Sequence, residues 1–170
     1  MAQDILIVIN VATNAVQMYC DQSILDTNSQ QGGTEGSNEL AIKVPVGTEL
    51  RWRATPLQTT DARDDGIYHC IIESYKLWDK AGTYLTEWGT SNGGGDAPFY
   101  KSTGNLQPET TASVSTEGID RPFVQALTQL SSRDEKQSPQ VAYTFTVGIY
   151  KNGDRIGGIN WDPFVTVYRQ

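Results

Sequence analysis

The stretch Val141 to Gln170, VAYTFTVGIYKNGDRIGGINWDPFVTVYRQ, decides the fold class of this chain. Apolar residues alternate with small or polar ones over residues 141–149, which is the period of a β-strand with one buried face. Asn152 and Gly153 then provide the two positive φ angles that a type I′ hairpin turn needs. The stretch therefore predicts a β-hairpin that ends in a Trp-Asp-Pro sequence and a final apolar strand.

The register of this hairpin requires an irregularity. Counting outward from the turn pairs Lys151 with Asp154, Tyr150 with Arg155 and Ile149 with Ile156. If that register continued unchanged, Trp161 would lie on the face opposite the core. A bulge at Gly157 and Gly158 would insert one residue and bring Trp161 opposite Phe145 on the buried face. We therefore predict a glycine bulge at these two residues.

The motif formed by Trp161, Asp162 and Pro163 is interpreted as structural. The indole is expected to fill the end of the fold, and the aspartate is expected to accept backbone N–H bonds. Because Pro163 has no N–H to donate, it predicts an edge, a bulge or the start of a new strand.

Other apolar segments are interpreted as further strands. Asp4 to Val11 and Ile67 to Trp78 are apolar on both faces, which is typical of central strands, whereas Glu49 to Ala54 alternates. Turns rich in Gly, Pro and Asn separate these segments. The pattern predicts an all-β, single-domain antiparallel β-sandwich of about seven to nine strands over residues 1–170.

One segment favours a short helix. In Asp120 to Leu130, Asp120 is a suitable N-cap and Pro122 suits a first turn, while Phe123, Leu127 and Leu130 recur at helical spacing. A strand is the alternative for the same residues.

Composition and charge exclude several classes of partner. The net charge of −7 and the pI near 4.6 disfavour nucleic acid and anionic membranes, because both require a basic surface. The N-terminus lacks the basic region of a signal peptide, so we expect a cytoplasmic protein. Export by a route that needs no signal peptide is the alternative. Cys20 and Cys70 are expected to be reduced thiols, with a single bridge as the alternative.

Three segments carry a family resemblance. DILIVINV at Asp4 to Val11, VPVGTELRWRATP at Val44 to Pro56 and GGINWDPFVTV at Gly157 to Val167 resemble the PixA/AidA inclusion-body protein family of bacteria. The resemblance implies a small protein that accumulates in the cell, in some members as crystalline inclusions, and that has no established enzymatic activity. It supplies no catalytic residues. It therefore implies an abundant, self-associating β protein of at least dimeric state.

The residues themselves offer little for catalysis. His69 is the only histidine, and it lies within an apolar strand, where an interior histidine with satisfied hydrogen bonds is expected. Pairing of His69 with Cys70 as a nucleophile is disfavoured because adjacent strand residues point to opposite faces. No nucleophile elbow, phosphate-binding loop or zinc-ligand spacing occurs. We therefore predict a protein without enzymatic activity and without a required cofactor.

Two polar loops are candidate binding sites. Asp61, Asp64 and Asp65 could offer carboxylate oxygens to Ca²⁺, although a solvated loop in which they pair with Arg63 or cap turns is the main expectation. A second loop places Trp88, Asn92 and Asp96 close together in sequence, and Trp88 is a candidate for an exposed ring on which a sugar stacks. By contrast, Trp52 and Trp161 are at core-facing positions. The alternative function is therefore a lectin-like carbohydrate-binding module, assisted by Ca²⁺.

Overall fold

The computed structural model describes residues 1–78, 80–87, 100–101, 107–108 and 124–170. These residues form twelve strands, one single-turn helix and one 3-10 turn. The strands are β1 Ala2–Asn10, β2 Ala15–Cys20, β3 Ala41–Pro45, β4 Glu49–Pro56, β5 Tyr68–Leu77, β6 Leu85–Glu87, β7 Tyr100–Lys101, β8 Gln107–Pro108, β9 Val124–Thr128, β10 Val141–Lys151, β11 Asp154–Trp161 and β12 Phe164–Tyr168. The helix α1 is Ala81–Tyr84, and the 3-10 turn is Gln22–Ile24. Among these residues, no helix has the length and apolar character needed to cross a membrane.

The strands form two main sheets, and the predicted all-β sandwich is confirmed. The first sheet has the order β2-β1-β4-β9-β6. The second has the order β11-β10-β12-β3, with β5 on the other side of β10, and β7 and β8 form a separate pair. Trp52 of the first sheet packs against Tyr143 and Phe145 of the second, so the aromatic core lies between the two sheets.

Two strand pairs are parallel, which the sequence pattern did not indicate. β1 pairs with β4, and β12 pairs with β3, in parallel register. In each pair the two strands are far apart in sequence, and the chain between them visits the other sheet. Alternation along one strand reports which face is buried, and it carries no information about the direction of a distant neighbour.

The terminal hairpin has the predicted turn but a different bulge. Asn152 and Gly153 have φ angles of 52° and 91°, as a type I′ turn requires. Phe145 pairs with Trp161 as predicted, and the indole of Trp161 is only 7% exposed. The extra residue, however, is Ile156, because Tyr150 pairs with Arg155 while Ile149 pairs with Gly157.

The prediction of a bulge at Gly157 and Gly158 was therefore wrong in position. Both glycines keep partners in the ladder, Ile149 for Gly157 and Gly148 for Gly158. The bulge needs no glycine here because the extra residue lies on a strand at the sheet edge, where the side chain of Ile156 can project into solvent.

The predicted helix at Asp120 to Leu130 was wrong over its described part. Residues 120–123 lie outside the described residues, and Val124–Thr128 is strand β9. This strand pairs with β4 on one side and β6 on the other, and Val124 is buried. Sheet pairing and burial outweigh the local helical spacing, as tertiary contacts often do. The single helical turn, α1, lies instead just before β6.

Candidate functional site

The predicted calcium loop is occupied by an ion-pair network. The carboxylate of Asp61 is 6% exposed and accepts hydrogen bonds from Arg63, with Nε to Oδ1 at 3.1 Å and Nη2 to Oδ2 at 2.9 Å. The hydroxyl of Tyr68 donates to Asp61 Oδ2 at 2.8 Å. The alternative predicted for this loop, pairing of aspartate with Arg63, is therefore observed.

Lys151 joins the other side of this network. Its Nζ lies 2.9 Å from Asp61 Oδ2 and 2.7 Å from Asp64 Oδ2. Asp64 Oδ1 also accepts the backbone N–H of Gly66 at 3.0 Å, and the exposed Asp65 adopts a φ of 56° in the same turn. In the part of the chain that the structure describes, no group of three or more His, Cys, Asp or Glu side chains could hold a metal ion. Calcium binding here stays a prediction. It would require the side chains of Arg63 and Lys151 to move away from the aspartate carboxylates.

The network sets a pH dependence for stability. Hydrogen bonds from Arg63, and then from Lys151 and Tyr68, hold the pKa of Asp61 well below its usual range. A lowered folded-state pKa contributes stability above the unfolded pKa of about 4, and that stability is lost as the pH falls further. We expect Asp61→Asn to reduce the loss of stability between pH 7 and pH 3, measured as the shift of the urea midpoint. An unchanged shift in the variant would contradict this assignment.

The structure does not test the predicted sugar-binding loop, and it places His69 differently from the prediction. Trp88, Asn92 and Asp96 lie outside the described residues. His69 is half-buried on β5, opposite Tyr150 of β10, rather than fully interior as expected. Tyr68 and His69 begin β5, and the buried residues Cys70, Ile71 and Ile72 follow them.

Asp162 of the Trp-Asp-Pro motif is linked by side-chain hydrogen bonds to Thr144 of β10 and, through Thr144, to Trp78 at the end of β5. Thr144 donates to Asp162 Oδ1, and the indole N–H of Trp78 donates to the hydroxyl of Thr144. The expected role of Asp162, accepting backbone N–H groups, is thus replaced by a contact with a side-chain hydroxyl. Pro163 lies between β11 and β12, so its position matches the predicted start of a new strand. Its carbonyl accepts the N–H of Tyr143 at 3.1 Å.

A charged cluster on β5, β10 and β11, with a buried glutamate and an exposed arginine, was missed from sequence. Glu73 accepts from Arg155 through two bonds, Nε to Oε1 at 2.6 Å and Nη2 to Oε2 at 2.8 Å. The hydroxyl of Tyr150 donates to Glu73 Oε1 at 2.7 Å. Glu73 occupies a register shift in β5, and a Cβ at Gly148 would overlap its carboxylate. The signals in the sequence were one glutamate inside an apolar strand and one glycine inside an alternating strand.

The two cysteines are free, as one of the two alternatives predicted. Burial, followed by the negative charges of Glu35 and Asp21, raises the pKa of Cys20 to about 11. Burial raises the pKa of Cys70 to about 12. Because the thiolate is the reactive form, we expect iodoacetamide at pH 8 to label both cysteines in the native protein about 100-fold more slowly than free cysteine. Both should label rapidly in urea, and rapid native labelling of Cys20 would contradict the prediction.

Comparison with known proteins places the chain in a family. The PixA family, described as "Inclusion body protein", matches residues 8–167. A solved structure, the crystal structure of an inclusion body protein (PixA) from Burkholderia cenocepacia J2315, matches with a TM-score of 0.49 and 13% sequence identity. That alignment covers 100% of this chain and 96% of that chain. No curated protein matches the sequence. Since the family match spans most of the sequence, this chain belongs to the PixA family of inclusion body proteins.

Proposed function

We propose that this chain is a non-enzymatic protein that self-associates, at least to a dimer, and accumulates in cytoplasmic inclusion bodies. Membership of the PixA inclusion body family is the observation that carries the proposal. The arrangement of acidic side chains supports the non-enzymatic part. The buried carboxylates of Glu73 and Asp61 are each held by cations and by a tyrosine hydroxyl, so neither is poised as a free general base.

Strand β11 is the surface on which we place the association. Within the described part of the chain it pairs only with β10 and has no strand partner on its other edge, where we place the second copy of the chain. The side chain of Ile156 is 53% exposed at the bulge of this strand. Because a bulge interrupts a continuous ladder, contact through apolar side chains is favoured over unlimited strand pairing.

The net charge opposes this association at neutral pH. A chain with a charge of −7 at pH 7 repels its own copies, and the repulsion weakens as the pH approaches the pI near 4.6 or as salt is added. We therefore place assembly under conditions of high protein concentration, raised ionic strength or lowered pH.

Size-exclusion chromatography with light scattering tests this proposal. The wild-type protein is expected to form a dimer or larger species, and Ile156→Lys is expected to shift it towards the monomer. Leu57→Lys is the matched control, because Leu57 is 55% exposed and lies outside β11. A strictly monomeric wild type at millimolar concentration and raised salt would overturn self-association. Equal association of all three proteins would overturn the assignment of β11.

A further inference from the structure

An open groove lies on the outer face of the second sheet, the face turned away from the core. It is lined by the residues that follow β5, by the first residues of β10 and β12, and by residues 31 and 139–140. The groove encloses about 600 Å³, which falls within the range of about 300–1,000 Å³ typical of small-molecule sites. It shares no residue with either predicted loop site or with β11.

Strand register places Ala142 and Phe164 side by side on this outer face. Val141 and Tyr143 are 6% and 2% exposed and belong to the core, so Ala142 between them points away from it. Ala142 pairs with Phe164 of β12, and paired residues of neighbouring strands point to the same face. The small side chain of Ala142 therefore lies beside an aromatic ring and leaves a depression there.

Trp78 lies on the other side of Ala142 and on the same face. Leu77 pairs with Tyr143 of the core face, so the next residue, Trp78, points outward. Its indole N–H donates to the hydroxyl of Thr144, which is two residues beyond Ala142 on that face. The side chain of Trp78 is nevertheless 41% exposed. Because its N–H is already bonded within the protein, a ligand in the groove would meet the apolar ring.

The loop wall of the groove is fixed by hydrogen bonds and close packing. The side-chain amide of Gln140 donates to Ser29 Oγ at 2.7 Å, and the backbone N–H of Gln31 donates to the same oxygen at 3.2 Å. Gly32 packs so closely on Phe164 that an added Cβ would lie 2.8 Å from the ring. A wall that is ordered before binding lowers the entropic cost of holding a ligand.

The single charge in the described lining is positive. Lys80 lines the groove, is exposed, and forms no ion pair with a described residue. Asp162 accepts the hydroxyl of Thr144 and is not part of the lining. An aromatic ring alone would favour a cation, but a cation here would be repelled by Lys80, whereas an anion would be attracted. We propose that this groove binds a small, flat aromatic molecule that carries a carboxylate.

Three probes with the same ring test the proposed chemistry. Naphthoate, naphthalenemethanol and naphthylmethylammonium present one ring system with a negative, a neutral or a positive group. In calorimetry at neutral pH, the wild-type protein is expected to bind naphthoate at one site per chain, about fivefold or more tighter than the ammonium probe. Binding should also change the fluorescence of Trp78.

Matched variants assign the binding to this groove. Trp78→Ala is expected to weaken binding of naphthoate about tenfold, whereas Trp78→Phe keeps a ring and should remain within about threefold of the wild type. Lys80→Gln should weaken naphthoate about threefold or more and leave naphthalenemethanol unchanged. Lys136→Gln makes the same change at an exposed lysine outside the groove and should bind both probes like the wild type.

Four results would overturn the proposal. They are no binding of naphthoate at millimolar concentration, equal affinity for the three probes, unchanged affinity in Trp78→Ala, and equal losses in Lys80→Gln and Lys136→Gln. Thermal unfolding by circular dichroism shows whether each variant is folded. The groove lies apart from β11, and the oligomeric state of the wild type does not enter this test. The ligand site and self-association can therefore fail independently.

Discussion

Replacing Trp52 by alanine is expected to lower the free energy of unfolding by about 3–5 kcal/mol. Trp52 is 2% exposed, and its ring makes edge contacts with Tyr143 and Phe145 at centroid distances of 5.5 and 5.4 Å. Its indole N–H donates to the hydroxyl of Tyr143 at 3.1 Å. Alanine at this position would leave a cavity between the two sheets and remove aromatic contacts that join them. Urea unfolding of the purified variant measures the change.

Two further variants show whether the loss arises from this aromatic cluster. Tyr143→Phe keeps the ring but leaves the buried N–H of Trp52 without its acceptor, so it should cost about 1–3 kcal/mol. Ile67→Ala, at an exposed apolar residue, should change stability by less than about 0.5 kcal/mol. A loss below about 1 kcal/mol for Trp52→Ala would show that the two sheets are held together elsewhere.

Gly148→Ala is expected to cost about 2–4 kcal/mol, which is large for the addition of one methyl group. The new Cβ would overlap the carboxylate of Glu73, and Arg155 and Tyr150 hold that carboxylate in place. The carboxylate must therefore move and break part of the ion pair, or the strands must separate. Denaturant unfolding of the variant measures the cost.

A double-mutant cycle identifies the cause of this loss. In a Glu73→Ala background there is no carboxylate to displace, so Gly148→Ala should cost much less than in the wild type. Gly157→Ala is the control on the neighbouring strand, because a Cβ there meets no atom within 4 Å. Equal costs of Gly148→Ala in both backgrounds would show that backbone effects, rather than Glu73, make glycine necessary.

Only part of the ion-pair network around Asp61 could be predicted from the sequence. Side-chain type and spacing correctly placed Asp61 beside Arg63 as one alternative, because both residues belong to one turn. Lys151, which completes that network, is separated from Asp61 by 90 positions and comes near only through sheet pairing. The same holds for Glu73 and Arg155, which are 82 positions apart. Partners at such separations leave no periodic pattern in a single sequence.

The sequence by itself determined the all-β class, the type I′ turn at Asn152 and Gly153, and the pairing of Phe145 with Trp161, because alternation and turn chemistry act between near neighbours. The tertiary structure decided the rest. It moved the bulge to Ile156, made Val124–Thr128 the alternative strand rather than the helix, and joined two strand pairs in parallel. These features depend on which distant strand pairs with a given strand. Packing of the whole chain, rather than local propensity, determines that pairing.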